Sequence, residues 1–306
     1  MSTKDILLGL AVALLWGFNF VVMKVGVAEI PPFLLAFLRF FLAAVPLVFF
    51  AAPPRAAWRI VIAYGMLFGV IKFGLLFSAF GAGMPAGLGA VVLQVQALFT
   101  VGLAGALLGE RVTRAQMFGG AIAAAGLVLL AVDRFAGAPP WPFAMVLGAA
   151  LAWGQANIAA KRAGPVDPLA FAVWTSFVAT GPLLALSLAF EGPGAVADAW
   201  GRLSWRGAGA VLYLAYPISL ASIAIWNGLL ARRRAAEVAP FALLVPPIGL
   251  SLGWLLLGET ITPMIVAGGA CVVLGLAVAL FADRSRRVSV ATKRGPDATG
   301  PRSKIS

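Results

Sequence analysis

The sequence predicts an all-α integral membrane protein whose ten transmembrane helices form two inverted five-helix repeats. Three observations predict it. The 306 residues are 62% hydrophobic and 11% charged, with a mean hydropathy of +0.99, which is more apolar surface than a soluble core can hide. Charges and Pro/Gly clusters divide the chain into ten apolar runs, each near the ~20 residues that cross about 30 Å of hydrocarbon. The second half of the chain also restates the first.

The runs lie near 5–24, 33–52, 59–80, 85–107, 115–132, 141–160, 168–190, 206–229, 237–257 and 263–282. They are continuous rather than alternating in ten-residue stretches, so they read as helices and not as barrel strands. Lys4 precedes the first run as it would in a signal peptide, but nine further runs and no clear small-residue cleavage site favour an uncleaved helix.

The formal charge of +12 is explained by topology rather than by nucleic acid. With the N-terminus cytoplasmic, Lys4, Arg55, Arg59, Arg111, Arg114, Lys161, Arg162, Arg232, Arg233 and Arg234 fall inside together with the basic C-terminal segment. Lys24, Arg134, Arg202 and Arg206 fall outside, with Arg39 placed close to the start of the second run. This asymmetry puts both termini in the cytoplasm. Residues 284–306 are basic and rich in Ser, Thr, Pro and Gly, and read as a disordered tail near anionic lipid. The single cysteine, Cys271, has no internal partner and reads as a small packing residue.

A shift of 137 residues pairs Trp16 with Trp153, Gly17 with Gly154, Lys24 with Lys161, Pro31 with Pro168 and Phe40 with Phe177. A shift of 149 then pairs Tyr64 with Tyr213, Ala90 with Ala239, Leu108-Gly109-Glu110 with Leu257-Gly258-Glu259, Gly119-Gly120 with Gly268-Gly269, and Gly126 with Gly275. The extra residues are assigned to a long loop around 191–205. The repeats occupy 1–135 and 136–283. Five runs is an odd number, so the second copy enters the membrane inverted, as in secondary transporters whose substrate site lies near the midplane. A duplicated scaffold or channel remains the alternative.

Several chemistries are missing. There is no histidine, and all eleven acidic residues lie in loops or at run ends. Zinc proteases and Ser-His hydrolases need His, and membrane aspartyl proteases need paired intramembrane carboxylates. No Gly-Lys dipeptide occurs, so there is no P-loop. The reading is therefore not an enzyme, with no metal and no cofactor. Proton relays usually run through buried Asp, Glu or His, so movement is expected to be facilitated by a gradient, or coupled through a less usual group such as Lys72.

The polar and amphipathic residues inside the runs are the candidate substrate contacts, the composition expected of a pocket for a small polar molecule. They are Trp16 and Asn19 in the first run, Lys72 in the third, Gln94 and Gln96 in the fourth, and Trp153 and Asn157 in the sixth. Trp174 in the seventh and Tyr213, Tyr216, Trp226 and Asn227 in the eighth complete the set. The amides serve equally well as helix–helix glue, and the aromatics as packing or interface anchors. Gln94 and Gln96 are two apart, so one of them is expected to face a cavity. Tyr64, Phe68 and Lys72 recur every four residues and share a face. Lys72 has no acidic partner within the runs, and a substrate carboxylate is the expected one. A lysine held by freed backbone carbonyls, or wedged against Gln94 or Gln96, is the alternative.

WGFNFVVMKVG in the first run, Leu38-Arg39-Phe40 in the second, and GMPAGLGAVVLQVQALFTVGLAGALLGERVT across the fourth resemble the EamA family of the drug/metabolite transporter superfamily. The resemblance spans about residues 5–283. Met84 to Thr100 and Val238 to Leu250 are similar to its cysteine/O-acetylserine exporter subgroup. It implies a multi-pass bacterial inner-membrane exporter of amino acids or related metabolites, working by alternating access with membrane lipid around it. It also implies a central cavity lined largely by the third, fourth, eighth and ninth runs, which brings forward Lys72, Gln94, Gln96, Tyr213 and Tyr216. A broader exporter of aromatic amino acids or drugs, and a structural or receptor-like membrane protein, are the rivals. Ala97 stands where the ninth run has Pro246, so the two halves need not bend alike.

Overall fold

The computed structural model describes residues 1–135, 139–233 and 235–293. The described residues hold helices and no strand. Eight helices are long and apolar enough to cross a membrane, and two shorter apolar helices, Pro32–Val45 and Pro263–Ala279, coincide with the second and tenth predicted segments.

The halves match more closely than their sequences do. The third segment runs as α-helix over Trp58–Tyr64, as a wide π-helical stretch over Gly65–Lys72, and as α-helix again over Phe73–Gly81. The eighth repeats this order with a π stretch at Leu214–Ala221, 149 positions later. The fourth segment breaks between Ala86–Leu93 and Gln96–Leu108, and the ninth between Ala235–Ala242 and Val245–Leu257, again at an offset of 149. Each ends on a glycine in the left-handed region, Gly109 at φ 67° and Gly258 at φ 66°, where a Cβ would be strained.

Pro246 and Pro247 account for the break in the ninth segment, because neither offers an N–H to the carbonyl four residues earlier. The fourth has Ala97 at the equivalent position, yet it breaks in the same register, with tight bonds from the amides of Gln94, Val95, Ala97 and Leu98 to the carbonyl three residues back. The freed carbonyl of Ala242 in the ninth segment accepts from Gln94 Nε2 at 3.4 Å, so the two breaks are tied together.

The fifth segment, Arg114–Phe135, packs closely along the tenth, Pro263–Lys293. A Cβ added to Gly119 would run into the Gly275 carbonyl, and one on Gly126 into the Gly268 carbonyl. The contact is reciprocal, since Gly119 corresponds to Gly268 and Gly126 to Gly275. Small residues here let the backbones touch, which is how helices gain packing energy without a hydrophobic driving force.

Two expectations need correction. The stretch assigned to a loop around 191–205 is mostly helix, Gly192–Arg202, followed by a short turn capped at Ser204. Val196, Ala199 and Leu203 recur at helical spacing and pack on the core, which suits a short helix with one apolar face. The tail expected to be disordered from 284 is helical as far as Lys293, since no Gly or Pro interrupts the chain between Gly275 and that point. The remainder of that tail, 294–306, lies outside the described residues.

Candidate functional site

A cavity of about 400 Å³ lies among the second, third, sixth, seventh and eighth segments. Its wall includes Arg39 and Phe40, Tyr64 and Phe68, Phe171 and Ser176, and Ser219 and Asn227. It shares the third and eighth segments with the cavity that the family resemblance implies, while the second, sixth and seventh take the place of the fourth and ninth. The latter pair turn their breaks toward each other and close that space with the Gln94 bond. The cavity reaches Ala160, Val166 and Pro168 at one end of the molecule.

The two π stretches give this cavity its shape. In the eighth segment Pro217 removes an amide donor inside the stretch, and Ser219 bonds the Leu214 carbonyl at 2.9 Å. In the third, Gly65 and Gly69 weaken the α-helix and both line the cavity. Tyr64 stacks on Phe68 at 5.2 Å, so the face predicted from four-residue spacing is present.

Lys72 ends the third segment's π stretch and is 4% exposed. Its ammonium sits 3.6 Å from the ring centre of Trp153 and 4.1 Å from those of Phe68 and Phe73. This cage joins two of the sequence candidates, Lys72 and Trp153, through cation–π contacts. It lies behind the cavity wall rather than in it.

Arg39 is the residue that sequence reasoning passed over. Placed close to the start of the second run, it stands near the middle of the helix Pro32–Val48 and is 4% exposed. Its Cζ lies 4.1 Å from the ring centre of Phe73, the ring that Lys72 also approaches, and 5.5 Å from that of Phe40. Nε and Nη1 are buried without a hydrogen-bond partner. Among the described residues, no ion pair joins either cation to an acid. The signal was available in the sequence, because Arg39 interrupts an apolar run as Lys72 does.

The other candidates fall into separate groups. Asn157 donates to Gln96 Oε1 at 2.9 Å and to Thr100 Oγ1 at 3.0 Å, a polar seam between the fourth and sixth segments. Trp16 donates to Ser222 Oγ at 2.9 Å and packs 4.9 Å from Trp226. Tyr213 donates to the Leu15 carbonyl at 2.9 Å. Asn19 reaches Met23 Sδ, while its Oδ1 is buried without a partner. Trp174 donates to the carbonyls of Ala51 and Ala52 and meets Trp58 edge to face, outside the cavity wall. Tyr216 is 40% exposed on the outside of its helix. Asn227 alone of the twelve lines the cavity.

The acidic residues organise the two ends. At one end, Glu259 accepts from the amides of Ala86 at 2.5 Å and Gly87 at 2.9 Å, capping the start of the fourth segment. Beside it, Lys24 donates to the carbonyls of Phe80 at 2.8 Å and Met84 at 2.9 Å. At the other end the repeat-related residues, Glu110 and Lys161, bond each other at 2.9 Å with side chains 52% and 45% exposed.

This arrangement has relatives. The model of the EamA-like transporter family matches residues 3–132 and again 140–281. The chain belongs to that family. It is 38% identical over 295 residues to a probable amino-acid metabolite efflux pump of Salmonella typhimurium, covering 94% of this chain and 99% of that one. It is 35% identical over 293 residues to a probable amino-acid metabolite efflux pump of Escherichia coli, covering 94% and 98%. A solved crystal structure at 24% identity superposes with a TM-score of 0.60 over 94% of this chain and 99% of its own, and shares the fold. The protein is thus a membrane transporter rather than an enzyme.

Proposed function

We propose that this transporter exports amino acids or related metabolites, with cysteine and O-acetylserine favoured, by alternating access between two inverted five-helix repeats making ten spans. The observation that carries the reading is the unlike state of two equivalent ends. The Glu259 carboxylate and Lys24 ammonium hold backbone groups of the third and fourth segments at one end. Glu110 and Lys161 hold only each other at the end toward which the cavity reaches. With both termini cytoplasmic, the closed end faces outward and the cavity faces the cytoplasm, the state in which an exporter loads.

In the opposite state the roles exchange. Glu110 would cap the amides of Ala235 and Ala236, Lys161 would take the carbonyls of Leu229 and Arg233, and Lys24 would pair with Glu259. Transport is driven by the substrate gradient or coupled through Lys72. The rings of Phe40, Tyr64, Phe68 and Phe171 on the cavity wall favour aromatic amino acids as the second reading.

The test is flux from liposomes. Purified protein should release preloaded radiolabelled cysteine or O-acetylserine in a saturable way, with the other amino acids run as competitors. Absence of protein-dependent flux for all of them removes the proposal, and stronger competition by phenylalanine or tryptophan selects the second reading.

A further inference from the structure

We infer that Arg39 is the docking group for the carboxylate of the exported solute. The inference rests on the exporter reading and names the part of the solute that the cavity recognises. Arg39 lines the cavity, whereas Lys72 stands behind the wall in its ring cage. A guanidinium keeps its charge in any protein environment, so burial cannot neutralise it as it can a lysine. Its surroundings are Phe40 and Phe73, with no acid among the described residues, and two of its donors have no acceptor. A buried cation left unpaired is costly, and in a membrane protein such a charge marks a pathway. The ligand that removes the cost is an anion small enough for about 400 Å³, held through the two-donor fork that suits carboxylates.

The rest of the wall selects an amino acid over a simple acid. Ser219 donates its proton to the Leu214 carbonyl, which leaves its oxygen able to accept from an ammonium. Asn227, on the same wall and about two helical turns further along, offers an amide oxygen. The solute therefore lies with its carboxylate toward the second segment and its ammonium toward the eighth.

Competition in the liposome assay tests this with L-cysteine against L-cysteinamide, which lacks the carboxylate, and with chloride. The wild-type chain should bind the acid at least about tenfold more tightly than the amide, a difference near 1.4 kcal/mol. Arg39→Gln should reduce flux and bring the ratio close to one, and Arg39→Lys, which keeps the charge without the fork, should fall between. Full acid-over-amide preference in Arg39→Gln overturns the assignment while leaving export intact. Should that variant fail to yield monodisperse protein, an unchanged ratio in Arg39→Lys overturns it equally. Competition by chloride as strong as by the amino acid makes Arg39 a general anion site and also overturns it. No flux from the wild-type chain removes the exporter reading and this inference together.

Discussion

The end of the molecule around Glu259 and the end around Glu110 both carry carboxylates but use them differently. At the first, carboxylates seize the starts of distant helices: Glu259 holds Ala86 and Gly87, Glu191 holds the amides of Phe33 and Leu34 at 2.6 and 3.1 Å, and Glu29 accepts from the amide and hydroxyl of Ser204. At the second, Glu110 pairs with Lys161, Asp5 with Arg233 and Arg232, and Asp167 caps its own helix at Ala170. A backbone amide cannot swing away, whereas a lysine or arginine side chain has several rotatable bonds. Charge-assisted bonds to fixed donors lock an end; bonds between flexible side chains leave it free to rearrange.

The largest expected effect is at Glu259. Glu259→Ala leaves two amides of the fourth segment uncapped and should cost about 2–3 kcal/mol of stability with at least tenfold lower flux, read by thermal unfolding and liposome efflux. Unchanged melting would mean that the closed end does not depend on this cap. Glu110→Ala separates the two ends more sharply. It removes an exposed pair and should change stability by no more than about 0.5 kcal/mol, while turnover falls about fivefold because the outward-open state of the proposed cycle would lose its cap. A variant with full turnover would show that Glu110 has no part in the second state. The smallest contrast lies in the lysines. Lys24→Met should destabilise by about 1–2 kcal/mol through two lost carbonyl bonds, and Lys161→Met by less than about 0.5 kcal/mol, in the same melting assay. Equal losses would erase the difference between the ends.

Much of the fold was legible because hydropathy and repetition are local signals. The segments, the equivalence of Leu108-Gly109-Glu110 with Leu257-Gly258-Glu259, and the Gly119 and Gly126 pairs could all be read from the chain. The matched π stretches could not, since Gly65–Lys72 and Leu214–Ala221 share almost no residues and their form depends on packing across the bundle. In the site, Lys72 stood out as a charge in an apolar run, but its cage needs Trp153 from the other half. Arg39 gave the same signal and was hidden by a run boundary drawn a few residues too far along, which made it look peripheral. Asn157 and Gln96 turned out to face each other, a pairing that spacing on one helix cannot disclose. The carboxylates at the run ends were visible as boundaries, while their acceptor role joins residues more than 150 positions apart.

The π stretches have a mechanical consequence. A π turn holds one residue more than the α-helix needs for the same advance, so each of these helices stores a surplus residue at the level of the cavity. Such a surplus travels like a dislocation in a crystal: one bond shifts partner at a time, and the kink moves a turn while the ladder on either side stays intact. With the third and eighth segments holding this slack at matching heights, the walls of the cavity can lengthen on one half as they shorten on the other.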